Sequence, residues 1–152
     1  MKSAPFRLTV VAKVAVSWLF CLDTLVASQI DEGKLLRAIA EVESGTSGAR
    51  VCRVVGAAGE RSAWQITAAV WRRYTRASFQ RASTEVYLPN LIAAAHLRML
   101  RFELSERFQP DTAYNLALAW NGGLGATRRA SVRQRDYAQR VEATYERLIA
   151  QR

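Results

Sequence analysis

Glu43 is the residue whose type and spacing best suit it to chemistry. Leu36, Ile39, Ala40 and Glu43 stand at i, i+3, i+4 and i+7, the spacing of one helical face. Each residue turns an α-helix by roughly 100°, so Glu43 points within about 20° of Leu36, towards whatever Leu36 and Ile39 pack against. Glu41 projects from nearly the opposite side and is expected in solvent. Desolvating a carboxylate is costly, so a glutamate on an apolar face needs an explanation. Either it pairs with one of the many arginines, or it is a general acid with a raised pKa, held where a helix ends and a cleft opens. The other reactive residue types offer less. Cys52 has no partner thiol once Cys21 is set aside, so it reads as a small buried residue, and no metal cluster is available. His96, the single histidine, has no Ser or Cys partner at a telling spacing and reads as structural. Gly122 to Gly125 lacks the strand–loop–helix setting of a phosphate loop and reads as a turn.

The elements that must position Glu43 are helices. Asp31 caps a helix running to about Val42, and the glycines at 45, 48, 56 and 59 mark a loop, with an extended piece at Val51 to Val55. Ile66 to Phe79 reads as a helix with Ile66, Val70 and Tyr74 on one face and Trp71 beside them. Thr84 or Asn90 starts a long helix ending near Phe108, with the stripe Leu88, Leu91/Ile92, Ala95, Met99 and Phe102. Pro110 breaks the chain, and Asp111 or Thr112 caps a helix to about Asn121. Ser131 with Gln134 makes a capping box for a last helix, whose Tyr137, Val141, Tyr145 and Leu148 share a face. No strand alternation, repeat or low-complexity tract stands out. The expected class is mainly α.

The 152 residues suit one domain with one core. The net charge of +9 and pI of about 10.4 imply a polyanionic partner: nucleic acid, an acidic membrane or an acidic wall polymer. The arginines are scattered, so charge alone does not choose among these. Residues 1–28 read as a signal peptide: Lys2, Arg7 and Lys13 precede an apolar run from Val14 to Leu22, and Leu25-Val26-Ala27-Ser28 offers small residues for cleavage. An uncleaved amphipathic anchor or an internal helix are the alternatives. The run is too short for a stable membrane span. Removing 1–28 takes away three basic residues and one acidic one, leaving +7 on residues 29–152.

Four stretches then fall in order: Glu43-Ser44 at a helix end; Gly59-Glu60-Arg61-Ser62-Ala63-Trp64-Gln65-Ile66, a glycine loop closing on Gln and an apolar residue; Ala119-Trp120-Asn121-Gly122-Gly123 near another helix end; and Tyr137-Ala138-Gln139-Arg140-Val141 in the last helix. Together, over roughly residues 31–148, they resemble the lysozyme-like lytic transglycosylases of the soluble-lytic-transglycosylase type. Trp120 stands where that family usually has Tyr, Trp64 where it often has Met, and Glu60 makes the loop more acidic.

The resemblance implies a lysozyme-like domain with a substrate cleft and an enzyme acting on peptidoglycan glycan strands. Glu43 would protonate the glycosidic oxygen between N-acetylmuramic acid and N-acetylglucosamine. It would then act as base on the muramic 6-hydroxyl, giving a 1,6-anhydro product with no second enzyme carboxylate, no metal and no cofactor. Ser44 follows the acid, Tyr137 is matched to orient it, and Gln65 and Asn121 are matched to grip N-acetyl and hydroxyl groups. The bland readings are a helix cap for Gln65, a helix end for Asn121 and plain core for Tyr137. Trp64, Trp71 and Trp120 can stack on sugar rings, although Trp71 reads better as core. The implied location is periplasmic or secreted, with an envelope-spanning secretion or conjugation machine as a partner.

Other readings stay open. Glu60 is the second carboxylate that a hydrolytic muramidase needs, unless it pairs with Arg61 or another arginine. A wall-binding module that kept the fold without catalysis is a further possibility. A basic helical domain can also bind nucleic acid, but the leader argues against it and no recognition helix stands out.

Overall fold

The computed structural model describes residues 29–151, and these are mainly helical, with no strand among them. The expected leader, Cys21 included, lies outside the described residues. Helix α1 spans Glu32–Ser44, with the Asp31 carboxylate accepting from Lys34 N at its start and a left-handed Gly45 at its end. α2 spans Ala68–Tyr74, α3 Tyr87–Ser105, α4 Ala113–Gly122 and α5 Val132–Ala150. Short 3₁₀ turns at Phe79–Ser83 and Leu124–Thr127 lead into α3 and α5. Local cap chemistry sets several starts. Thr112 caps α4, and Ser131 with Gln134 forms a reciprocal capping box on α5.

α5 lies along both α1 and α4, and α3 packs on α1, α2 and α4. Leu35, Ile39, Leu97, Leu104, Leu116 and Val141 meet in one apolar cluster between them. This arrangement brings the last turn of α1 against the second turn of α5.

Two helices differ from the expectation. Ile66 to Phe79 is not one helix: Thr67 caps α2, which stops at Tyr74, and the chain then doubles back. The buried Trp71 indole N–H donates to the Ala77 carbonyl at 2.7 Å, which requires that return. α3 starts at Tyr87 with no side-chain cap, so neither Thr84 nor Asn90 caps it, and it ends at Ser105. Its buried stripe is Pro89, Ile92, Ala93, Leu97, Leu100 and Leu104, while Leu91 and Phe102 are 49% and 62% exposed. The first half of α3 is apolar nearly all round, so periodicity alone did not choose a face. Residues 51–55 are irregular rather than a strand, and the loop closes through a single bridge between Arg61 and Ile66.

Trp64 anchors that loop to α1. Its ring is 4% exposed and its Nε1 donates to the Leu36 carbonyl at 3.0 Å. Gly48 packs so closely on the ring that a Cβ there would stand 2.6 Å from it. The indole that the sequence offered as a sugar platform is therefore covered by protein, because its N–H finds a carbonyl and its ring fills the space beneath the loop.

Candidate active site

Glu43 lies in the last turn of α1 and is half-buried. The Tyr137 hydroxyl donates to its Oε1 at 2.8 Å, across 94 residues of sequence. No arginine forms an ion pair with Glu43 among the described residues, although the chain holds 22 basic residues against 13 acidic ones. The arginine partners go instead to Glu41. Its carboxylate takes Arg37 at 2.9 Å and Arg147 at 2.6 Å and is only 23% exposed, so it is not the free, solvated group expected. Arg147 reaches it from α5. Burial works against the Glu41 charge, but the two arginines outweigh it and hold its carboxyl below the usual value.

Glu43 is pushed the other way. Burial raises its pKa first, and the nearby Glu60 charge adds to this, against the Tyr137 hydrogen bond and the Arg140 charge, which lower it. The negative end of the α1 dipole acts in the same direction as burial. Tyr137 is itself buried, and burial together with Glu43 holds its phenol well above the usual value, so it remains a donor. Because Tyr137 donates to Oε1, the proton of a protonated Glu43 sits on Oε2, the oxygen left free to deliver it.

Glu60 and Gln65 frame the loop opposite. Glu60 Oε2 accepts from Ala58 N at 2.9 Å and pairs with no arginine among the described residues. Arg61 is engaged elsewhere, donating to Ser83 Oγ at 3.0 Å with its guanidinium over the Phe79 ring. Gln65 holds a left-handed backbone (φ 45°), and its Nε2 donates to the Ser62 carbonyl. It does not cap α2, since Thr67 does. The carboxylate of Glu60 and Oε1 of Gln65 close over Gly56, where any Cβ would strike both.

Ser44 donates to the Ala40 carbonyl and meets Thr46 Oγ1 at 3.1 Å, so it shapes the helix end rather than touching the Glu43 carboxylate. Asn121 is exposed. Trp120 is half-buried, set edgewise against His96 with ring centroids 5.2 Å apart. Gly122 lies against Gln134, three residues before Tyr137, which ties this corner to the Glu43 pair. Arg140 escaped the sequence reading, although its position one turn beyond Tyr137 is the signal that places it near Glu43. A pocket of about 600 Å³ bounded by Ile30, Pro110, Tyr145 and Ile149 lies at the start of α1 and holds none of the candidate catalytic or sugar-binding residues. The distance along α1 to Glu43 is about 18 Å.

The raised pKa of Glu43 sets a pH dependence of stability. The folded state keeps this proton after the unfolded chain has lost it, so the contribution is fully present below about 4.5 and is lost as pH rises through the higher folded value. Wild type should lose stability relative to Glu43→Gln across that window and level off above it. Thermal unfolding of both proteins from pH 4 upward checks this. A constant difference across the range would mean that Glu43 is not perturbed.

Comparison with protein-family models, curated proteins and solved structures returns no match.

Proposed function

We propose that this chain is a lysozyme-like lytic transglycosylase that cleaves the MurNAc–GlcNAc bond of peptidoglycan non-hydrolytically, with Glu43 as general acid and then base. The observation that carries this reading is the Tyr137–Glu43 hydrogen bond at 2.8 Å, joining the first and last of the four matched stretches. A half-buried glutamate with a raised pKa, an orienting phenol and no arginine partner among the described residues has what a general acid needs. Among the matched stretches, Gln65 and Trp120 are the groups suited to a sugar's amide and apolar ring face. The substrate cleft of the family, export through residues 1–28, and work alongside an envelope machine belong to the same proposal. Among the described residues no helix is long and apolar enough to cross a membrane.

One observation favours a second reading. Glu60 has no arginine partner among the described residues and lies close enough to Glu43 to raise its pKa, as the second carboxylate of a hydrolytic muramidase would.

Turbidity loss of purified peptidoglycan tests the proposal. Wild type should clear it, and clearing should slow as salt rises, because a basic surface steers the protein to an acidic polymer. Cleavage of short neutral glycan fragments should respond less. Absence of clearing would remove the enzyme reading, and an equal salt response for both substrates would remove the steering.

A further inference from the structure

Three half-buried rings from three helices form a row: Tyr74 at the end of α2, His96 in the middle of α3 and Trp120 near the end of α4. The Tyr74 hydroxyl lies 3.2 Å from His96 Nδ1, with the rings nearly perpendicular at 73°. On its other side the imidazole meets Trp120 at 5.2 Å and 64°. Burial raises the Tyr74 phenol above its usual value and Arg73 beside it only offsets part of this, so the phenol keeps its proton; with its oxygen facing that cation, the O–H is left for Nδ1. Burial and the Arg73 charge lower the His96 pKa to about 4, so the imidazole is neutral near pH 7. A neutral imidazole that accepts at Nδ1 carries its proton on Nε2. Nε2 has no protein partner among the described residues, where no fully buried side-chain nitrogen or oxygen goes unpaired. The Nε2–H is therefore not fully buried, in a ring that packs edgewise on Trp120.

A directed donor next to a partly open indole suits a sugar, which presents an apolar ring face edged by acceptors. We propose that Trp120 and the outward Nε2–H of His96 form a glycan subsite that takes one N-acetylhexosamine unit, its ring against the indole and its acetamido carbonyl accepting from His96. Tyr74 acts as a positioning residue that fixes the histidine tautomer. The subsite rests on the peptidoglycan reading; Gly122, two residues after Trp120, packs on Gln134, which stands three residues before Tyr137 on α5. From sequence alone His96 reads as structural, because Tyr74 stands 22 residues from it and no motif joins them.

The test measures binding of chitohexaose, a soluble β-1,4 oligomer of N-acetylglucosamine, by calorimetry in a Glu43→Gln background. His96→Phe keeps the ring and removes the donor, so Kd should weaken about three- to tenfold, the worth of one neutral hydrogen bond. Trp120→Ala should weaken it by about tenfold through lost apolar contact, with Trp120→Phe recovering part. Long-range proton–nitrogen NMR of the otherwise unchanged protein is independent of whether those variants fold. It should show His96 protonated at Nε2 near pH 7, with that signal moving when chitohexaose is added. Unchanged affinity in both variants, an Nδ1-protonated His96, or an Nε2 signal indifferent to the sugar overturns the subsite while leaving the peptidoglycan reading in place. Failure of the parent protein to bind either chitohexaose or peptidoglycan overturns both.

Discussion

Glu43→Gln should lower peptidoglycan turnover by at least ~10²–10⁴, the range for a lost general acid or base. Glutamine keeps the size of the side chain, and its amide oxygen can still accept from the Tyr137 hydroxyl, so the local structure should persist. It cannot deliver a proton. One carboxyl serves both proton transfers in this account, so the loss should fall at the upper end or beyond. The variant should also be at least as stable as wild type near neutral pH, because ionising a half-buried carboxylate no longer weighs against folding. Initial rates on purified wall, with unfolding curves on the same preparations, check both statements. A folded variant with near wild-type turnover would remove Glu43 from the chemistry.

Trp64→Ala should cost about 3–5 kcal/mol of stability, as a large aromatic removed from a packed interior does. That is a large share of the roughly 5–15 kcal/mol of an ordinary domain. The indole fills the space between α1 and Gly48, and its N–H is satisfied by Leu36. Losing it also frees the loop that carries Glu60 and Gln65, so activity should fall with stability. Trp64→Phe keeps much of the ring and should cost about 1 kcal/mol for the missing hydrogen bond. Denaturant unfolding of the two variants measures this. Near wild-type stability in Trp64→Ala, with weakened sugar binding, would instead restore Trp64 as a substrate platform.

Legibility in the sequence followed the range of the interactions. The caps at Asp31, Thr112 and Ser131–Gln134 are written within a few residues, and each sits where its side chain says. The face of α3 is not written that way, because Leu88 to Leu97 offers apolar side chains in almost every direction and only the packing of α1, α2 and α4 selects among them. The end of α2 depends on an indole reaching a carbonyl past the helix. At the site, the side of α1 that Glu43 occupies followed from helical spacing. Its phenol partner, 94 residues away, was found only through a family pattern. The pairing of Glu41 was missed because Arg147 comes from 106 residues away, beyond any local rule. Trp64 and Trp120 look alike as exposed-loop and helix-end tryptophans in sequence, yet one is covered and the other half-open. Their burial depends on what crosses over them.

Glu43 as the single acid/base is the central claim, and mass spectrometry of the glycan products tests it most directly. Digests by wild type should carry 1,6-anhydromuramic ends, with the 6-hydroxyl of the substrate taking the place of water. Glu60→Gln should slow the enzyme without changing that product, since Glu60 would then serve only the loop and the electrostatics of Glu43. Reducing ends that take up labelled oxygen from water, with Glu60→Gln as inactive as Glu43→Gln, would contradict the account and establish the two-carboxylate hydrolase in its place.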